Sequence, residues 1–374
     1  MKRIGNLYEQ IISVENLRLA DSKARRGKTS TYGVRCHDKN REANIEALHE
    51  ALRTKTFRTS PYDIFTIYEP KERIIYRLPY YPDRIVHHAI MNVLEPIWVR
   101  TFTHNTFSCV KNRGIEGCSR YVGRIIQKYK GKPLYCLKID LRKFYPSISH
   151  DVLKQIVRRK IKDTDLLWLL DDIIDSASTP VERRAAGLPV SDYVNIGGQP
   201  VRIAFNDLDE ETGLPIGNYL SQYLANLVLC YVMHYLNEVE RVDCAEYADD
   251  ITLFGESKER LRAVFCRLCE KLTALHLSVK GNWQIFPIAE NRFDKRGRAL
   301  DYVGYKFYRN QKLIRKSTKK NFCRMCAKLN REKPLRELKP YKQAVAPWLG
   351  WAKHSNSRNL LRTIIHPQFY ESIL

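Results

Sequence analysis

Tyr247-Ala248-Asp249-Asp250 sets two carboxylates side by side, with the apolar run Ile251-Thr252-Leu253-Phe254 directly behind them. Isoleucine, threonine and phenylalanine favour a strand, and an Ala-Asp-Asp tip suits a tight turn. The expected element is a β-hairpin that presents two acids at its turn. Adjacent like charges repel, so the pair is costly unless a cation sits on it. Magnesium fits, because it prefers one or two carboxylates plus substrate phosphates to a full protein cage. Phosphoryl transfer needs two such cations, roughly 3.5–4 Å apart, clamping the attacking and leaving oxygens. That demands a further acid from a separate element, and Lys138-Ile139-Asp140 offers one. Phe144 and Tyr145 follow at a distance that would bring an aromatic ring under an incoming nucleotide. A third segment, Gly213-Leu214-Pro215-Ile216-Gly217-Asn218-Tyr219-Leu220-Ser221-Gln222, opens an apolar helix. Its glycines let backbone approach a substrate closely, and a helix start favours phosphate. Taken singly, a DD turn is a solvated turn and a strand-end aspartate is a helix cap. Their combination is what points to chemistry.

The elements that must position these groups read as an α+β pattern. Helices are expected over 42–52, 83–102, 151–161 and 219–235, and strands over 62–68, 134–139 and 299–308. Residues 71–79 continue as extended chain with alternating basic side chains. The helix at 219–235 is apolar on nearly all sides and should be buried. Residues 21–31 read as a basic loop, and 176–211, with Pro180, Pro189, Gly197, Gly198 and Pro200, as an irregular connection with short strand-like pieces such as Val201–Ala204. The last segment, 311–374, carries fifteen Lys/Arg against three acids. It reads as helical, with breaks at Pro334, Pro340 and Pro347, and suits a duplex-gripping lobe.

Bulk properties narrow the class. The formal net charge of +23 over 374 residues makes a strong field for polyanions, nucleic acid first and an anionic membrane second. No apolar run approaches the roughly 20 residues that span a bilayer, so no membrane partner is expected. The N-terminus lacks the apolar stretch of a secretory signal, which favours a cytoplasmic location. Ten cysteines at this length do not make a disulfide framework. Cys266/Cys269 and Cys323/Cys326 have zinc-like spacing, but both pairs lie in helical patterns, and packing as small residues is the reading for them.

D-x-x-x-F-Y at Asp140, L-P-x-G-x-x-x-S at Leu214 and Y-x-D-D at Tyr247 resemble, in order and spacing, the palm motifs of reverse transcriptases. Leu277-Ser278-Val279-Lys280 and Leu300-Asp301-Tyr302-Val303-Gly304-Tyr305 are similar to the fourth and fifth motifs, and Lys71-Glu72-Arg73 to the fingers of bacterial members. The resemblance implies a right-hand polymerase: an N-terminal segment and start of fingers over 1–60, fingers over 61–133, palm over 134–310 with the inserted 176–211 segment, and a basic helical thumb over 311–374. It implies that Asp140 and Asp249 ligate two magnesium ions (manganese a possible substitute), with Asp250 supporting and the Leu141 carbonyl completing one site. Lys71 and Arg73 would neutralise the incoming triphosphate, Tyr145 would be the steric gate against ribose, and Lys280 would assist departing pyrophosphate. Ile216, Gly217 and Gln222 would line the nucleotide, and Val303, Gly304 and Tyr305 would grip the primer.

Many reverse transcriptases carry glutamine before the second glycine of the third segment and proline after its serine; this chain has Ile216 and Gln222. That pattern resembles the branch of diversity-generating retroelements. The branch implies an RNA-directed DNA polymerase that copies template RNA inaccurately at adenines for mutagenic retrohoming. Its partners would be template RNA and RNA/DNA duplex, deoxynucleotides and a small, basic, oligomeric accessory protein of the accessory variability determinant type. Isoleucine offers shape where glutamine offers a hydrogen bond, and losing a polar discriminator weakens rejection of wrong partners by about 1 to 3 kcal/mol. The length past the thumb leaves no room for an endonuclease, maturase or RNase H extension. A retron- or phage-defence-type enzyme shares the same palm, and an RNA-binding module on an inactive polymerase fold is the non-enzymatic alternative.

Overall fold

Strand-forming runs and the helices that bury them divide the chain into two units in the computed structural model, which describes residues 3–68, 73–177, 191–196, 199–204, 211–332 and 337–373. One unit comprises Met1–Cys109, Asp140–Val239 and Arg267–Lys280. The other comprises Val110–Ile139, Glu240–Cys266 and Gly281–Leu374. The fold is α+β with antiparallel strand pairs.

The second unit is organised by a four-stranded sheet. Its strands are β3 (Tyr135–Asp140), β6 (Asp243–Tyr247), β7 (Asp250–Gly255) and β8 (Gln284–Pro287), in the order β6-β7-β3-β8. β3 and β8 are antiparallel with Tyr135 opposite Pro287, and β6 and β7 are antiparallel with Tyr247 opposite Asp250. Ile251, Thr252, Leu253 and Phe254 are all buried, so this strand is covered on both faces, as a continuous apolar run requires. A smaller antiparallel sheet follows, with β9 (Leu300–Tyr302), β10 (Tyr305–Phe307) and β11 (Lys312–Ile314).

The helix Gly114–Lys128 also belongs to this unit, and after the small sheet come the helices Lys316–Asn330, Leu338–Lys353, Arg358–Ile364 and Pro367–Ile373. These last helices close their own core around Phe322, Tyr341, Val345, Leu361 and Phe369. Two of the expected proline breaks are absent. Pro340 lies in the first turn of Leu338–Lys353, where a missing N–H costs nothing, and Pro347 sits inside the same helix. Packing of Tyr341, Val345 and Leu349 outweighs the lost hydrogen bond at Pro347. Pro334 lies outside the described residues.

In the first unit, helices Val14–Ala24, Arg41–Arg53, Ile85–Val99 and Tyr219–His234 supply the core, and β1 (Asp63–Ile67) pairs antiparallel with β2 (Arg73–Arg77). The expected loop at 21–31 begins instead inside a helix. Asp21 is fully buried there, meeting Arg25, Arg41 and Tyr80. Burial pushes its carboxyl up, but the bonds from Tyr80, Arg41 and Arg25 outweigh this and leave it below the ordinary range. Within 176–211 the strand-like Val201–Ala204 falls in β5 (Gln199–Ala204), which pairs antiparallel with β4 (Ser191–Ile196), Ile196 opposite Gln199. Tyr193, Val194, Val201 and Ile203 are strand formers, and the intervening Gly197-Gly198 is a hairpin signal. Among the described residues no helix is long and apolar enough to cross a membrane.

Candidate active site

In the second unit, Tyr247 pairs with Asp250, so Ala248 and Asp249 alone make the turn. Ala248 takes a left-handed φ of 58°, a conformation that costs an L-residue about 1–2 kcal/mol. Strain of this kind persists only where the surroundings over-determine it. Here the Tyr302 hydroxyl donates to the carbonyls of Asp250 at 2.9 Å and Ala245 at 3.2 Å. Burial first, then the nearby Cys118 thiol and the acids Asp250 and Glu246, hold the Tyr302 phenol far above its ordinary ionisation range. It therefore remains a donor. The Lys138 ammonium lies 3.3 Å from Asp250 Oδ2 and donates to the Asp301 carbonyl at 2.9 Å. Lys138 was missed from sequence, although it stands two residues before Asp140 on the same face of a strand.

The fifth-motif residues lie in the same unit. Val303 and Gly304 make the β9–β10 turn with φ of 41° and 83°. A Cβ on Gly304 would stand 2.3 Å from Trp351 Cζ3, so only glycine allows that ring to close on the turn. Tyr305 packs its ring 5.1 Å from Trp351 and points its hydroxyl at the Trp351 carbonyl. Arg315 pairs with Asp301 at 2.6 Å.

In the first unit, Asp140 closes β3 and its carboxylate meets Lys280 Nζ at 2.6 Å. The two segments are also laced by backbone: Lys280 N–H donates to the Asp140 carbonyl and Arg142 N–H to that of Ser278. Tyr145 lies in the short helix Phe144–Ser147, and its carbonyl accepts from Leu214 N–H at 2.9 Å. Gly213 N–H donates to Ile148 at 2.9 Å, and the Ile216 carbonyl accepts from Tyr76 N–H at 3.0 Å. The loop 213–218 is thus fastened to the Tyr145 segment on one side and to β2 on the other. Gly217 has φ of 114°, and a Cβ there would meet Ile75 Cγ2 at 3.2 Å. Ile216 and Gln222 are half-buried, the latter in the first turn of Tyr219–His234. Arg73 opens β2, while Lys71 lies outside the described residues.

The structure therefore brings Asp140 to Lys280, and Tyr145 to the loop that carries Ile216 and Gly217. Asp250 is joined through Tyr302 to the strand that leads into Val303 and Gly304. Sequence reasoning also missed Tyr302 and the fully buried Glu246, which lies near Arg113. Tyr302 stood inside the quoted fifth motif and could have been read as a buried polar anchor.

The reverse transcriptase (RNA-dependent DNA polymerase) family model matches residues 69–282, a segment that holds Lys138, Asp140, Glu246, Asp249, Asp250 and Lys280. The chain belongs to the reverse transcriptase family. Among curated relatives, protein YkfC of Escherichia coli (strain K12) is 24% identical over 162 residues, 43% of this chain and 36% of that protein. The chain thus matches little more than a third of that relative's length. Among solved structures, apo telomerase from Candida tropicalis, truncated from its C-terminal domain, is similar at 12% identity and a TM-score of 0.42. That match covers 71% of this chain and 59% of the other.

Proposed function

We propose that this protein is an RNA-directed DNA polymerase that extends a primer along template RNA. The observation that carries the reading is the strained acid turn at 248–249, which lies inside the segment matched to the family and is anchored by Lys138 and by Tyr302 beyond that segment. The donor set of Asp140, Asp249, Asp250 and the Leu141 carbonyl is all oxygen, which fits magnesium or manganese. Ammonium groups already stand against Asp140 and Asp250, so both positions favour a cation. Bound there, the two ions would stabilise charge on the attacking and leaving oxygens.

The chain's own residues supply the rest. Lys280, paired with Asp140 at 2.6 Å, would on release neutralise departing pyrophosphate. Tyr145 crowds the 2′ position of a ribonucleotide, and Arg73, with Lys71, meets the triphosphate. The turn at Val303-Gly304-Tyr305 steadies the primer end, and the basic 311–374 segment grips duplex.

The finer reading is a low-fidelity enzyme of the diversity-generating kind, working in the cytoplasm with a small basic accessory protein. Support for it comes from Ile216, an apolar side chain on a loop whose backbone is fixed by Tyr76 and Tyr145. RNA-templated primer extension with sequencing of the cDNA tests both levels. Product with errors concentrated opposite adenines is expected. Absence of any product would overturn the polymerase, and an even error spectrum would overturn only the branch.

A further inference from the structure

Away from the catalytic aspartates, His150, Asp175 and Glu211 turn one ligand atom each toward a common point, all within 4.8 Å of one another. His150 opens the helix His150–Arg158 and is 98% buried, its residue surface only 2% exposed. Its Nε2 lies 2.9 Å from the Gly213 carbonyl, which can only accept, so Nε2 carries the ring proton. In the neutral ring Nδ1 is then a bare lone pair. Among the described residues it has no hydrogen-bond partner, and it faces Asp175 Oδ1 at 3.3 Å and Glu211 Oε2 at 3.7 Å. Three electron-rich atoms converge where a cation would satisfy all of them. Lys154 meets Asp175 at 2.6 Å, and this single ammonium leaves the two carboxylates with a net negative charge.

We infer that His150, Asp175 and Glu211 form a site for one divalent first-row transition ion, separate from the catalytic ions. Imidazole with two carboxylates is a donor set for zinc or manganese rather than magnesium. Bonds of about 2.0–2.2 Å to such ligands place donor atoms on one ion at separations close to those seen here. The second ring nitrogen donates to a backbone carbonyl, which is the arrangement that orients a metal-bound histidine. Asp175 and Glu211 are partly exposed, which gives the ion a route in.

The site has a purpose in the fold. Asp175 ends the helix Thr164–Asp175, and Glu211 is where the chain returns after the β4–β5 hairpin. An ion there would clip the two ends of a long connection, the geometry in which a clip restricts the unfolded chain most. The same stretch is backed by His150 N–H donating to the Glu211 carbonyl and by the Ser149–Thr212 bridge. The clip would therefore also fix the loop that carries Ile216 and Gly217.

The test uses the full chain carrying Asp140→Asn, Asp249→Asn and Asp250→Asn, which removes the carboxylates of the catalytic site, titrated with Co2+ alone in magnesium-free buffer. One equivalent should bind, with a visible d–d spectrum and a higher thermal midpoint. Adding Glu211→Gln should weaken that affinity at least tenfold and abolish the thermal shift. His150→Gln, whose amide can still donate to the Gly213 carbonyl, should do the same while the protein stays folded. A parent that takes up no ion, or a Glu211→Gln protein that binds as tightly as the parent, would overturn the site.

Discussion

The turn at 247–250 is held by side chains reaching in from elsewhere, whereas the loop at 213–218 is held by its own backbone. Around the turn, a buried tyrosine hydroxyl takes two carbonyls and a lysine faces Asp250, so a left-handed alanine is tolerated. Around the loop, Gly213, Leu214 and Ile216 each use a main-chain group to bond to Ile148, Tyr145 and Tyr76. The first arrangement fixes where charge sits and makes it depend on several distant side chains. The second fixes where the chain runs and leaves the side chain at 216 open to change. On the proposed roles, reaction chemistry and substrate choice would thereby be separated: the turn should tolerate few substitutions around it and the loop many.

The contrast can be broken most forcefully beside the turn. Gly304→Ala forces a methyl into the Trp351 ring at a positive φ, and should cost about 3 kcal/mol in denaturant unfolding. A loss under about 0.5 kcal/mol would show that Trp351 moves aside freely. Tyr302→Phe keeps the ring but strips the hydroxyl from two buried carbonyls, with an expected loss of about 2 kcal/mol. Its extension rate should fall as well, because the acid turn loses its anchor; unchanged extension would mean the turn holds itself.

The frame of the loop should answer to pH instead. His87 is on the helix Ile85–Val99, which meets Tyr219–His234 through Glu95, hydrogen-bonded to Tyr223. Burial, then the neighbouring His88 and Arg84, lower the His87 pKa to about 3. A histidine depressed in the folded state contributes stability that is complete above its unfolded pKa near 6.5 and is lost as pH falls toward 3. Unfolding free energy should drop by about 2 kcal/mol from this group between pH 7 and 5. His87→Leu should flatten that slope; an equally steep slope would remove His87 from the account.

The smallest effect belongs to the loop side chain. Ile216→Gln should leave stability within about 0.5 kcal/mol, because the loop's bonds are main-chain. It should lower misincorporation opposite adenines by up to about tenfold, an effect of about 1.4 kcal/mol, read by sequencing cDNA. An unchanged adenine error rate would end the idea that this position sets fidelity.

What could be read in advance followed from how local each signal is. The acid hairpin, β3 and the helix Tyr219–His234 rest on runs of a few residues whose types agree with one another, and they stand where the pattern placed them. The buried Asp21 was misjudged because a polar, basic stretch looks solvated until Arg41 and Tyr80 arrive from elsewhere in the chain. The strand-like Val201–Ala204 was legible, but its pairing with 191–196 was not, because prolines drew attention from the Gly-Gly pair between the two strands. Tyr302, Lys138 and His150 act through partners far away in sequence, and no spacing rule announces such contacts. The carboxylates were legible one by one, and their supports were not.

The central claim is that the 247–250 turn is the reacting half of a polymerase site. Single-turnover extension of a primer on RNA, with Mg2+ and deoxynucleotides, tests it by comparing the unaltered protein with Asp249→Ala. The expected result is a loss of roughly a thousandfold or more in product formation, about 4 kcal/mol of barrier, with the thermal midpoint little changed. An Asp249→Ala protein that extends within tenfold of the unaltered one would contradict the account.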